Sequence, residues 1–97
     1  MLTGKQKRYL RKEAHHLKPV FQVGKQGVND NLIHQIHDYL EKNELMKVSI
    51  LQNCSEDKKT VAEQLEQAAE ATVVQIIGNN IVLYKPSAEN KTIELPN

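Results

Sequence analysis

The sequence is poor in the residues from which small proteins build covalent staples, membrane spans and base-stacking platforms. Its single cysteine, Cys54, has no internal partner, so no disulfide framework closes the chain and nothing points to an oxidising compartment. Tryptophan is absent and phenylalanine occurs once; Phe21, Tyr9 and Tyr84 are too few for the aromatic platform on which RNA-recognition-motif domains stack bases. No stretch comes near the roughly 18 consecutive apolar residues of a membrane span, so no membrane partner is expected. From Lys5 onward the beginning of the chain is polar and basic, without the apolar run of a secretory signal, and a cytoplasmic protein is expected. With 97 residues, 39 % hydrophobic and 26 % charged, the expectation is one globular domain over residues 1–97 with one modest core.

Signs of catalysis are equally sparse. No serine sits in a nucleophile elbow, the carboxylates are spread along solvated helix faces, and Cys54 lies in a polar connection with no activating partner in view. His15 and His16 are adjacent, so their side chains diverge on a helix. His34 and His37 are three apart on one helix, but no cysteine or acidic ligand set accompanies them. The chain reads as a non-enzyme without metal, cofactor or small-molecule substrate.

What is present is charge, and it is unevenly placed. The formal net charge is only +1. Residues 1–27 nevertheless carry Lys5, Lys7, Arg8, Arg11, Lys12, Lys18 and Lys25 against Glu13 alone, a net +6. Residues 28–97 carry six cations against eleven anions, a net −5. A polarised molecule of this kind suits a polyanion partner, and nucleic acid is the expected one.

Periodicity places that charge on a helix. Thr3-Gly4-Lys5-Gln6 fits a capping box opening a helix over residues 3–17. Gln6, Leu10, Ala14 and Leu17 share its narrow apolar face, while Lys5, Lys7, Arg8, Arg11, Lys12 and His15 cover the other side as an arc. Lys18-Pro19 stops the helix. Residues 19–23 read as a strand, and Asn29 caps a second helix whose Leu32, Ile33, Ile36, Tyr39 and Leu40 face the core. Residues 45–51 alternate as a strand, and either Ser55 or Asp57 caps a third helix with an apolar stripe of Val61, Leu65, Ala68 and Ala69 beside acidic Glu63, Glu66 and Glu70. Residues 72–77 and 81–85 form a hairpin around Gly78-Asn79-Asn80. Residues 86–97 are a polar C-terminal tail with an extended piece at Thr92–Leu95. The order α-β-α-β-α-β-β contains two βαβ units and a terminal hairpin. It predicts an α/β fold with a mixed four-stranded sheet packed with helices.

Gly24-Lys25-Gln26-Gly27 is the sharpest local feature. The Gly-x-x-Gly string by itself occurs by chance in roughly half of chains this long. Its setting gives it meaning: it lies between a strand and a helix start, where backbone N–H groups and the helix dipole favour an anion. Glycine lets the backbone approach a phosphate closely, and Lys25 at the tip adds a charge. The spacing is neither that of a P-loop nor that of a dinucleotide fingerprint. KH domains also use a GxxG loop on RNA, but theirs joins two helices. Contact with RNA backbone is therefore preferred over reading of bases. The competing reading is a protein adaptor whose basic helix docks on an acidic partner.

Together these pieces resemble the CRM domain (chloroplast RNA splicing and ribosome maturation) in its stand-alone bacterial form, the YhbY-like proteins. The matching residues are Leu2-Thr3-Gly4-Lys5-Gln6-Lys7-Arg8 with Leu10-Arg11, His15-His16-Leu17-Lys18-Pro19-Val20, and Val23-Gly24-Lys25-Gln26-Gly27-Val28. They continue at Glu44-Leu45-Met46-Lys47-Val48 and from Val74-Gln75-Ile76-Ile77-Gly78 to Ile81-Val82-Leu83-Tyr84-Lys85-Pro86. The resemblance implies a fold similar to the C-terminal domain of translation initiation factor three. It implies RNA binding through Gly24, Lys25, Gln26 and Gly27 and through Lys5, Lys7, Arg8, Arg11 and Lys12. It also implies association with large-subunit ribosomal RNA and pre-ribosomal particles.

Overall fold

The computed structural model describes residues 2–97. Its elements run in the predicted order: α1 (Gly4–Ala14), β1 (Phe21–Val23), α2 (Asp30–Asn43), β2 (Leu45–Ile50), α3 (Lys58–Ala68), β3 (Thr72–Ile77) and β4 (Asn80–Tyr84). Each helix starts at a side-chain cap. The Thr3 hydroxyl accepts from the Gln6 N–H at 3.1 Å while the Gln6 side chain accepts from the Thr3 N–H at 3.0 Å, which completes the capping box. Asn29 Oδ1 accepts from Leu32 N–H at 2.9 Å. Asp57, rather than Ser55, caps α3 through Thr60 N–H at 2.7 Å. The first helix is shorter than its sequence pattern: Leu17 N–H donates to the Ala14 carbonyl, a tight turn that ends α1 and redirects the chain toward β1 before Pro19 is reached.

The four strands lie in the order β1-β2-β4-β3. β1 and β2 are parallel and joined through α2, an ordinary βαβ unit. The second unit is split. β4 inserts between β2 and β3 and is antiparallel to both. Insertion keeps the short hairpin connection at Gly78, whose φ of 58° suits the turn, and moves β3 to the sheet edge.

Period-two alternation gives the sheet two covered faces. Met46, Val48 and Ile50 of β2 join Ile81 and Leu83 of β4 beneath α2 and α3, with Ile36, Leu40, Val61, Ala62 and Leu65 completing the larger core. On α3 the predicted Ala68 is exposed and Ala62 is buried in its place. The opposite face packs Leu45, Val74, Val82 and Tyr84 against Leu10 and Ala14 of α1. The tail closes this second core: Ile93 and Leu95 pack into it, and Gln6 Nε2 donates to the Pro96 carbonyl at 3.0 Å.

Glu44 holds the tail in place. It occupies the left-handed region at φ 63° where α2 ends, a position usually given to glycine. Its carboxylate is buried and accepts from the N–H groups of Ser87 and Thr92 at 2.6 Å and of Ile93 at 2.8 Å. Its carbonyl accepts from Lys85 N–H at 2.9 Å. Burial alone would raise the pKa of this carboxyl, but the donors from Ser87, Ile93 and Thr92 outweigh it and hold the group below the ordinary glutamate value of 4.5.

A depressed carboxyl pKa contributes stability that is complete above the unfolded value and is lost as pH falls through the lower folded value. The Glu44→Gln protein should therefore be less stable than wild type at pH 7 by about 1–3 kcal/mol, the worth of hydrogen bonds to a charged acceptor. Thermal melts from pH 7 to pH 3 should show that difference shrinking below pH 4.5. A difference unchanged across that range would show that the Glu44 charge is not what secures the tail.

Candidate nucleic-acid interface

Gly24-Lys25-Gln26-Gly27 forms a β-turn closed by a 2.9 Å hydrogen bond from Gly27 N–H to the Gly24 carbonyl. The positive-φ residues among those described do not include Lys25 or Gln26, which excludes the types that need one there and fits a type I turn with glycine in fourth place. The two glycines differ in what they do. Gly27 sits at φ 67°, where any side chain is strained. Gly24 takes an ordinary φ; a Cβ there would meet the side-chain ends of Asn53 and Leu51 at 3.4 Å, close contact but no clash with backbone. The turn's own bond uses the Gly27 N–H, leaving those of Lys25 and Gln26 outside it, and both residues are exposed at the tip.

The start of α2 contributes less than the sequence suggests. Val28 and Asn29 separate Gly27 from the first helical residue, Asn29 consumes the Leu32 N–H, and Asp30 places a carboxylate in the first turn. An anion held here would rely chiefly on the turn and on Lys25.

The cations of the predicted arc lie on α1, with His15 at its C-cap. Lys5, Arg8, Arg11 and Lys12 are exposed and Lys7 is half-buried, while Leu10 and Ala14 face the sheet. Arg11 and Lys12 fall in the last turn, where cations complement the helix dipole. Lys18 is exposed on the connection that leads from α1 into β1.

Position in the layers turns the charge split of the sequence into a spatial one. α1 lies on one face of the sheet, and α3, with exposed Glu63, Glu66 and Glu70, lies on the other. The GxxG turn emerges at the sheet end that also carries the β3–β4 hairpin: Leu51 N–H donates to the Val23 carbonyl at 2.8 Å, and Ile50 N–H to the Asn79 carbonyl at 2.7 Å. The last turn of α1 reaches toward the same end, where Arg11, Lys12, His15 and His16 border a groove with Lys47, Gln75 and Ile77. That groove was not apparent in the sequence. Among the described residues no group of three metal-ligating side chains converges, and His34 and His37 stay on the surface of α2. Tyr84 is buried beneath α1, and its phenol pKa is raised by burial and then by the charge of Glu44.

Residues 2–85 match the CRS1 / YhbY (CRM) domain. The chain belongs to that family. It is 67 % identical over 96 residues to the "Probable RNA-binding protein YqeI" of Bacillus subtilis, covering 99 % of this chain and all of that protein. It is 38 % identical over 95 residues to an "RNA-binding protein" of Haemophilus influenzae, covering 98 % and 95 % of the two chains. The solution structure of SAV1595 from Staphylococcus aureus superposes with a TM-score of 0.83 at 58 % identity, covering 99 % of this chain and 100 % of that one. The α/β fold with its mixed four-stranded sheet is therefore a CRM fold.

The unequal glycines give a direct check on the loop. Gly27→Ala should cost about 1 kcal/mol of stability through its left-handed backbone, whereas Gly24→Ala should change stability by less than about 0.5 kcal/mol. Urea unfolding of both proteins measures the difference, and equal costs would contradict the turn geometry.

Proposed function

We propose that this protein is a non-catalytic RNA-binding protein that grips RNA backbone with the arc of α1, Lys18 and the Gly24–Gly27 turn. The observation that carries the reading is the segregation of charge: the +6 segment forms one face and one end of the molecule, and the acidic helix α3 is turned away behind the sheet. Phosphates meet Lys5, Lys7, Arg8, Arg11 and Lys12 along the helix, and Lys25 with the N–H groups of the turn at the sheet end. Glu63, Glu66 and Glu70 repel a strand that approaches from the wrong side. The names borne by the Bacillus and Haemophilus relatives support RNA as the ligand.

The finer reading is a cytoplasmic factor in assembly of the large ribosomal subunit, bound to its ribosomal RNA or to pre-ribosomal particles. It is supported by the resemblance of the Thr3–Arg11 and Val23–Val28 motifs to stand-alone CRM proteins. The adaptor alternative shares the basic helix but gives no role to a glycine turn with a lysine at its tip.

If about six phosphates are contacted, log affinity for single-stranded RNA should fall against log salt with a slope of about −4. Replacing Lys25, Arg8 and Arg11 together by Ala should reduce that slope by about 2 and weaken binding uniformly across sequences. A slope near zero, or undiminished binding by the triple variant, removes the RNA reading; loss of a protein ligand instead would favour the adaptor. In cells, crosslinking followed by sequencing should enrich large-subunit ribosomal RNA, and enrichment of messenger or transfer RNA would overturn the assembly role.

A further inference from the structure

Backbone binding uses Arg11 and Lys12 at the border of the groove beside α1 but gives no role to its interior. It has a volume of about 530 Å³, inside the roughly 300–1,000 Å³ range of sites that enclose small ligands. Its base is apolar, formed by buried Ala14 and Val82, and its outer wall is Ile77. At 52 % exposure, Ile77 is the most exposed of the large apolar side chains described. Arg11, Lys12 and Lys47 supply charge around it, and among the described residues no carboxylate lines it.

Gln75 is the lining side chain that carries an amide, a donor and an acceptor side by side in one plane, and a backbone irregularity puts it there. The register between β3 and β4 slips between Val73 and Gln75, so that Val74 and Gln75 both lie opposite Val82. Val74 packs under α1 in the second core, and Gln75 opens into the groove on the same face. In a regular strand the two would point to opposite faces.

The groove is also continuous with the GxxG turn. Pairing aligns Gln22 of β1 with Ser49 of β2, Ser49 with Asn80 of β4, and Asn80 with Ile77 of β3. This polar row crosses the sheet on the α1 side, from the residue next to Val23 and the turn to the wall of the groove.

An apolar wall, a planar donor–acceptor amide and a cationic border suit neither a bare phosphate nor an apolar peptide. They suit a nucleotide, whose base has a flat apolar face and a hydrogen-bonding edge and whose sugar carries phosphates. We propose that the groove receives one unpaired base of the bound RNA, its face on Ile77, its edge on the Gln75 amide, and its flanking phosphates against Arg11, Lys12 and Lys47. The proposal rests on the RNA-binding reading above and adds selection for an unpaired nucleotide, which a backbone surface lacks.

Three RNA hairpins test it: one with a single bulged adenosine, one with the same bulge made abasic, and one fully paired. Wild-type protein should bind the bulged adenosine about ten-fold more tightly than the other two, within the range of one side-chain amide contact to a base edge. Gln75→Ala and Ile77→Ser should each bring the three affinities to within about three-fold, with binding of the paired hairpin and the thermal melt unchanged. Lys25→Ala should weaken all three hairpins alike. Equal wild-type affinity for the adenosine and abasic bulges, or a preference that survives in both groove variants, overturns the proposal. Competition by free adenosine monophosphate as strong as by the bulged hairpin also overturns it, in favour of a free-nucleotide site. Salt-dependent but base-blind binding removes the groove assignment alone, whereas absence of salt-dependent binding to any hairpin removes the RNA reading with it.

Discussion

One buried carboxylate organises this small domain. Glu44 ends α2 in a backbone conformation that glycine would adopt more easily, and gathers the N–H groups of Ser87, Thr92 and Ile93 that no sheet or helix satisfies. Its neighbours explain why the chain tolerates the backbone cost. The hydrogen bonds bring residues 92–95 back across the α2–β2 junction, and Ile93 and Leu95 then complete the apolar cluster that holds α1. Removing the tail would leave Leu10, Leu45 and Tyr84 with fewer partners, and the helix carrying five of the seven cations of residues 1–27 would lose part of its seat. The path from an internal acid to a basic surface runs through packing, with no direct contact between the two.

The second consequence is segregation. A four-stranded sheet with helices on both faces has to assign each helix to a face, and here the basic helix is alone on one side while the acidic helix shares the other with α2. Net charge near zero therefore coexists with a strong local field, and that field rather than the sum governs encounter with a polyanion.

Much of this was legible in the residues. The caps at Thr3 and Asn29, the order of elements, the polarity of α1 and the position of the glycine turn all follow from local pattern, because capping and periodicity act over a few residues. The position of β4 did not follow. Both hairpin strands are apolar enough to be central, so neither pattern says which becomes the edge. The β-bulge at Val74 was hidden for a related reason: Val73-Val74-Gln75 reads as ordinary strand, and only the register with Val82 shows that two of its residues share a face. Glu44 was the least visible. A glutamate after a helix ordinarily reads as a solvated residue, and its donors lie more than 40 positions away in a tail whose composition reads as polar. The limits were long-range pairings, where sequence pattern has no leverage.

The uncovered part of the α1 face shows why such a domain can offer RNA more than charge. α1 has eleven residues, about 16 Å of helix, and cannot shield a four-stranded sheet from edge to edge. The sheet accommodates this by changing character along its strands. On the α1 side β2 runs from buried Leu45 through Lys47 to Ser49, and β4 runs back from Tyr84 through Val82 to Asn80. Where helix and tail cover it the face is apolar; where they end it is polar, and the border between the two is the groove with Ile77 beside it. A longer helix would have closed that border and a wholly polar strand pair would have erased it. The end of a short basic helix over a graded sheet leaves charge, an apolar surface and an amide next to one another, and a flexible, unpaired nucleotide is a ligand able to use all three at once.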